Sequence, residues 1–178
     1  MNDSRTRILD AAEELFAETG YEATSTARIA ELASVPKGLV FHYFPQKMDV
    51  LLTLVDERTR IEVLPDEPHP GDPAGALRRL ASRIPLRASP SMRRILFREA
   101  ETHKSVRERL GAVNRELVGH ARRGLELALP GARGDAARLE IAAATFATVL
   151  LYQESLFQLT GDRVDPDALA DLISRALS

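Results

Sequence analysis

The chain has 178 residues, 44% hydrophobic and 28% charged, which is an ordinary globular balance with room for one substantial core or for a small domain beside a larger one. A formal net charge of −2 selects no partner by bulk electrostatics. The absence of cysteine excludes a disulfide framework and any thiolate metal site.

No cationic-then-apolar leader is visible and no apolar run is long enough to span a bilayer, so a cytoplasmic protein with no membrane partner is expected. His42, His69, His103 and His120 fall in no HExxH pattern, and no Walker loop, GxGxxG or nucleophile elbow occurs. Neither an enzyme nor a metal or cofactor site is expected. No window shows sustained period-two alternation, so the predicted fold class is all-α.

The first helix is predicted over about residues 4–19. Ile8, Ala11, Ala12, Leu15 and Phe16 share one face, and Gly20 is the stop. Ser25 is the expected N-cap of the second helix, with Ile29, Ala30 and Ala33 facing inward. Ser34 takes a turn position that glycine would occupy without strain, so backbone strain is expected there. Pro36 suits the first turn of a third helix, and Val35 and Val40 should plug the gap between the two helices.

Two short helices around a tight turn, at about 25–44, fit a helix-turn-helix whose second helix enters the DNA major groove. On pattern alone they fit equally well a plain helical hairpin with an aromatic core. In the first case Lys37 sits at the helix start, where base edges are reached, and Gly38 allows close backbone approach. Leu39 can touch a thymine methyl. His42 and Tyr43 can donate to phosphate, and Phe41 can pack on the sugar-phosphate edge. Arg28 and Lys47 reach toward the same groove. Charge does not favour DNA: residues 1–47 carry five basic side chains against seven acids. A strongly basic footprint is missing, so helix termini and hydroxyls must supply much of the phosphate binding.

A fourth helix is predicted over about 46–64, with Met48, Leu51, Leu52 and Val55 as its stripe, long enough to link two domains and to transmit a signal between them. The proline-rich run 65–73 marks the boundary between a domain at 2–62 and one at 72–178. Asp72-Pro73, Ser89-Pro90 and Asp165-Pro166 each pair an N-cap residue with proline at the first helical position, opening helices near 73–84, 90–103 and 166–177. Two longer helices are predicted over about 104–129 and 135–160.

The segment 139–157 is apolar on nearly all sides, so it should bury one face in its own domain and the other against a second copy. The last helix could complete a four-helix seam. The interface candidates are Phe146, Val149, Leu156, Leu169, Leu172 and Ile173; a monomeric core using both faces is the other reading. Residues 76–123 carry thirteen basic side chains against four acids, either as solvated faces or as a site for an anionic effector.

The run from Arg7 to Leu52 resembles the DNA-binding domain of the tetracycline-repressor (TetR) family. The matching pieces are ILDAAEELFAETGYEATS, the Ile29-Ala30 pair, the Lys37-Gly38 start of the recognition helix, and HYFPQK. The resemblance implies a three-helix DNA-binding domain followed by a helical ligand-binding and dimerisation domain. It implies phosphate contacts at Ser25 or Thr26, His42, Tyr43 and Lys47, and base readout by Arg28, Lys37, Gly38 and Leu39. Pro36 and Leu39 stand where many members carry Ser or Thr, and Phe41 replaces a frequent tyrosine, so two or three polar DNA contacts are absent.

The resemblance further implies a homodimer on a palindromic double-stranded DNA operator, with recognition helices roughly 34–36 Å apart or somewhat more. It also implies a small-molecule effector that releases the protein from DNA. Candidate pocket residues are Leu96, Phe97, Glu99, His103, Val113, Asn114, Leu117, Thr145, Phe146, Thr148, Tyr152 and Gln153, with Leu80, Ile84 and Leu150 as further apolar lining. Two other readings stand beside this one: a regulator with no effector, controlled by abundance or a protein partner, and a small-molecule-binding helical protein whose DNA motif has decayed.

Overall fold

The computed structural model describes residues 3–60, 69–83, 89–131 and 135–177, and among them there are nine α-helices and no strand. They are α1 (Ser4–Thr19), α2 (Thr26–Leu32), α3 (Lys37–Tyr43), α4 (Lys47–Arg58), α5 (Pro73–Arg83), α6 (Pro90–Thr102), α7 (Lys104–Ala128), α8 (Ala136–Thr160) and α9 (Pro166–Leu177). No helix among the described residues is long and apolar enough to cross a membrane.

Local chemistry sets most of these boundaries. Ser89 accepts the Met92 amide at 2.9 Å ahead of Pro90, and Asp135 accepts the Arg138 amide at 3.3 Å ahead of α8. Both satisfy a first-turn donor that the helix cannot pair itself. The carboxylate of Asp72 does the same for Gly75 at 2.7 Å, and that hydrogen bond, with Arg79 as the lesser cause, holds its carboxyl below the usual carboxylate range. Gly20 (φ 92°) and Gly161 (φ 78°) close α1 and α8 in conformations that side chains resist.

The fourth helix is shorter than the predicted 46–64. It ends at Arg58, where the Thr59 hydroxyl donates back to the Val55 carbonyl at 2.6 Å and the Arg109 guanidinium caps the Thr59 carbonyl at 3.3 Å. The rest of that prediction, at 61–64, lies outside the described residues.

The chain divides into two units. The first joins Met1–Arg60 to Leu86–Leu110, and the second joins Ile61–Pro85 to Gly111–Ser178. A continuous C-terminal domain from residue 72 is therefore not what the contacts form. Segment 89–110 packs with the N-terminal helices because α6 lays Met92, Ile95, Leu96 and Ala100 into the same core as Ile8, Leu9, Phe16 and Leu51. Alpha7 begins in the first unit and ends in the second.

The second unit has its own core of Leu77 and Leu80 from α5, Ala121 and Leu125 from α7, Leu139, Ala143, Phe146 and Leu150 from α8, and Ala170 and Ile173 from α9. Phe146 and Ile173 were expected at a dimer interface; both are buried in this core instead. At 100° per residue, positions 139, 143, 146, 147, 150 and 151 of α8 face inward together. The stripe left outside is Ile141, Thr145, Thr148, Tyr152 and Leu156. Of the other interface candidates, Leu156 and Leu172 are exposed, and Val149 and Leu169 are half-buried.

Candidate nucleic-acid interface

Helices α2 and α3 are held from behind by Ile29, Ala30, Ala33, Val40 and Phe44, all buried in the first unit's core. The Ser25 hydroxyl accepts the Arg28 amide at 3.2 Å and starts α2, as its sequence position predicts. The turn between the helices passes through Ser34 at φ 52°, the only non-glycine with positive φ among the described residues. The expected strain is thus present, and Val35 closes the turn by donating to the Ala30 carbonyl at 3.0 Å. Pro36 takes the N-cap position rather than the first helical one, with no side-chain hydrogen bond to the first turn of α3.

The face turned away from the core carries the expected DNA-reading residues. Arg28, Lys37, Gly38, Phe41, His42 and Tyr43 are exposed, Ser25 is exposed beside them, and Thr26 and Leu39 are half-buried. Nothing lies within 4 Å of where a Gly38 Cβ would stand, so this glycine relieves no internal clash and leaves the helix surface low. Lys37 Nζ sits 5.8 Å from the Phe41 ring centroid, one helical turn on. The His42 and Tyr43 rings meet edge to face at 5.3 Å. A cationic and aromatic ridge with a low backbone at Gly38 suits a groove walled by phosphates and floored by base edges.

Lys47 is placed differently from the other basic candidates. Its ammonium turns inward beneath the loop between α1 and α2, donating to the carbonyls of Tyr21 at 2.8 Å, Thr24 at 3.1 Å and Glu22 at 3.4 Å. It also lies 4.2 Å from the Tyr21 ring centroid. Its three donors are taken by the protein, so Lys47 holds the loop rather than presenting a free charge to phosphate.

The pocket candidates fall in both units. Leu96 and Glu99 are buried in the first unit, with Phe97 and His103 half-buried on the same segment. Glu99 accepts the Tyr21 amide at 3.3 Å, and the His103 and Tyr21 rings meet edge to face at 4.8 Å. Val113, Leu117 and Phe146 are fully buried in the second unit. Thr145, Thr148 and Tyr152 lie on the exposed stripe of α8, away from Phe146 and Leu150. His103 Nε2, Asn114 Oδ1 and Gln153 Oε1 are enclosed without a hydrogen-bond partner, which suits a bound molecule or an ordered water. Ile84 lies outside the described residues.

Residues the sequence did not mark are Ile141, the most exposed large apolar side chain among the described residues, and Tyr21, the hub of the loop before α2. Burial, and then the carboxylates of Glu22, Glu99 and Asp49, push the Tyr21 phenol up. The stripe Ile141, Thr145, Thr148, Tyr152 at helical spacing was the available signal for the first. The second depends on partners far along the chain.

Together these features define a helix-turn-helix head with an exposed recognition helix, carried on an all-helical chain. Residues 8–54 match the bacterial regulatory proteins of the tetR family. It is 40% identical over 52 residues to a fatty acid metabolism regulator protein of Bacillus subtilis, a match covering 29% of this chain and 27% of that one. It is 31% identical over 112 residues to the transcriptional repressor KstR of Rhodococcus jostii, covering 58% and 53%. The chain thus spans no more than about half the length of these curated relatives. Its fold matches a putative fatty acid metabolism regulator of Clostridium perfringens with a TM-score of 0.66 at 17% identity, covering 96% of both chains.

Proposed function

We propose that this protein is a dimeric transcriptional repressor of the bacterial cytoplasm that reads a palindromic DNA operator with α3 and is released by a small molecule bound among its C-terminal helices. The observation that carries the DNA reading is the exposed ridge of Lys37, Phe41, His42 and Tyr43 around the bare backbone of Gly38, on a helix anchored from behind by Val40 and Phe44. Arg28 and Lys37 are the base readers. Ser25, Thr26, His42 and Tyr43 hold phosphates, which position the helix without specifying sequence.

The dimer is supported by the outer face of α8 and α9. Ile141 is 68% exposed, Leu172 59%, Leu156 50% and Tyr152 42%. An apolar stripe of this length on a chain otherwise rich in charge marks a protein contact. Twofold pairing of one such face with its copy places two recognition helices on two half-sites. The test is selection of bound duplexes from a random-sequence pool at near-physiological salt, with sedimentation of the same preparation. Recovery of an inverted repeat by a dimer is the expected result. Recovery of nothing by a folded protein would overturn the reading.

A further inference from the structure

Glu99 is the only charged side chain that is buried among the described residues, at 5% exposure. A carboxylate in such a place is costly unless it is well partnered, and a leucine of similar volume would fill the space without that cost. Its partners say what it is for. Oε1 accepts the Tyr21 backbone amide at 3.3 Å and the Arg98 Nε–H at 3.1 Å, and Oε2 lies 3.7 Å from the His103 ring.

Arg98 continues the same contact. Its guanidinium lies 3.6 Å from where a Gly20 Cβ would stand and donates to the Phe16 carbonyl at the end of α1. Alpha6 therefore grips the end of α1 at Phe16, Gly20 and Tyr21. Apolar packing of α6 on α1 holds the helices together and leaves them free to slide; a directional hydrogen bond to one amide fixes their register.

Beyond Tyr21 the chain enters the DNA-reading helices. The Tyr21 carbonyl takes the Lys47 ammonium at 2.8 Å, the Thr24 hydroxyl donates to the Gly20 carbonyl at 2.7 Å, and the next residue is Ser25, the N-cap of α2. Alpha6 leads through His103 directly into α7, which runs on past Leu110 into the second unit.

We propose that Glu99 is a positioning residue for DNA recognition: from α6 it sets the loop between α1 and α2, so that movement of segment 90–110 reaches the helix-turn-helix through Tyr21. This role rests on the DNA-binding function proposed for α3. Glu99 thereby controls the reading head, where its sequence position suggested ligand contact.

The experiment uses the full chain and two variants. Glu99→Gln keeps an oxygen for the Tyr21 amide and removes the charge; Glu99→Asp keeps the charge and withdraws the oxygens by one methylene. The probes are an inverted-repeat duplex selected by the wild-type protein and a scrambled duplex of equal length, both at one fixed salt concentration. Glu99→Asp is expected to bind the selected duplex at least tenfold more weakly with the scrambled duplex within twofold of wild type, and Glu99→Gln to restore most of the difference. Equal weakening on both duplexes, or no weakening in folded protein, overturns the proposal. Backbone hydrogen exchange over residues 17–28, measured without DNA, tests the grip even if the wild type selects no duplex. Faster exchange there in Glu99→Asp than in the rest of the first unit is expected, and an unchanged rate refutes the contact's role.

Discussion

Replacing Lys47 with methionine separates a residue that holds a loop from one that holds DNA. Methionine keeps an unbranched stem and removes the ammonium that serves the Tyr21, Glu22 and Thr24 carbonyls. Hydrogen bonds from a charged donor are worth about 1.5–3 kcal/mol when enclosed. Lys47 is half-buried, so solvent screening brings the expected loss to about 1–2 kcal/mol. For a chain of this size that lowers the melting temperature by roughly 2–8 °C, readable by circular dichroism in parallel with urea unfolding. A lysine on phosphate would leave a different trace. Each lost phosphate contact makes the slope of log affinity against log salt shallower by about 0.9 per protomer. The expected outcome for Lys47→Met is a lowered midpoint and an unchanged salt slope on a selected duplex. An unchanged midpoint with a shallower slope would refute the placement and return Lys47 to the phosphate contacts.

Ser34→Gly should stabilise the first unit by up to about 1 kcal/mol, because a left-handed conformation costs a side-chain-bearing residue more than it costs glycine; a lower unfolding midpoint would show the turn to be unstrained. Ile141→Glu should leave the melting of the isolated protomer within about 0.5 kcal/mol of wild type, since the residue is exposed, while shifting sedimentation from dimer to monomer; a persistent dimer would place the seam elsewhere. Asp72→Ala should lower stability at neutral pH by about 1 kcal/mol through loss of the α5 cap. Because the folded Asp72 carboxyl is held below its unfolded value of about 3.9, its contribution is fully present above that value and fades as pH falls through the lowered one. Acid unfolding of Asp72→Ala should therefore lack that component below about pH 4, and a curve merely parallel to wild type would show the carboxyl to be unlinked to folding.

Helix positions were readable in the sequence because the signals are local. Ser89 and Asp135 cap the helices they precede, and Gly20 and Gly161 end theirs with a positive φ. The helix-turn-helix was readable for the same reason. Ser25, the strained Ser34 and the inward Ile29, Ala30 and Val40 all lie within one short window. The outward residues Arg28, Lys37, Gly38, Phe41, His42 and Tyr43 were legible from helical periodicity alone.

Only the tertiary structure decided which helices belong together and which way a long side chain turns. Segment 89–110 joins the N-terminal unit through an apolar face that sequence shows as amphipathic but cannot assign to a partner. Lys47 could reach a phosphate or a carbonyl until the Tyr21 loop, about 25 residues earlier, is in place beneath it. Phe146 and Ile141 both lie in one apolar helix, and only packing against α5, α7 and α9 buries the first and leaves the second outside. Glu99 is the extreme case: its role rests on one amide 78 residues away. Periodicity and capping are properties of a few neighbouring residues, and the chain declares them by itself. Partner choice depends on where distant segments come to rest, and that is fixed only when the cores close.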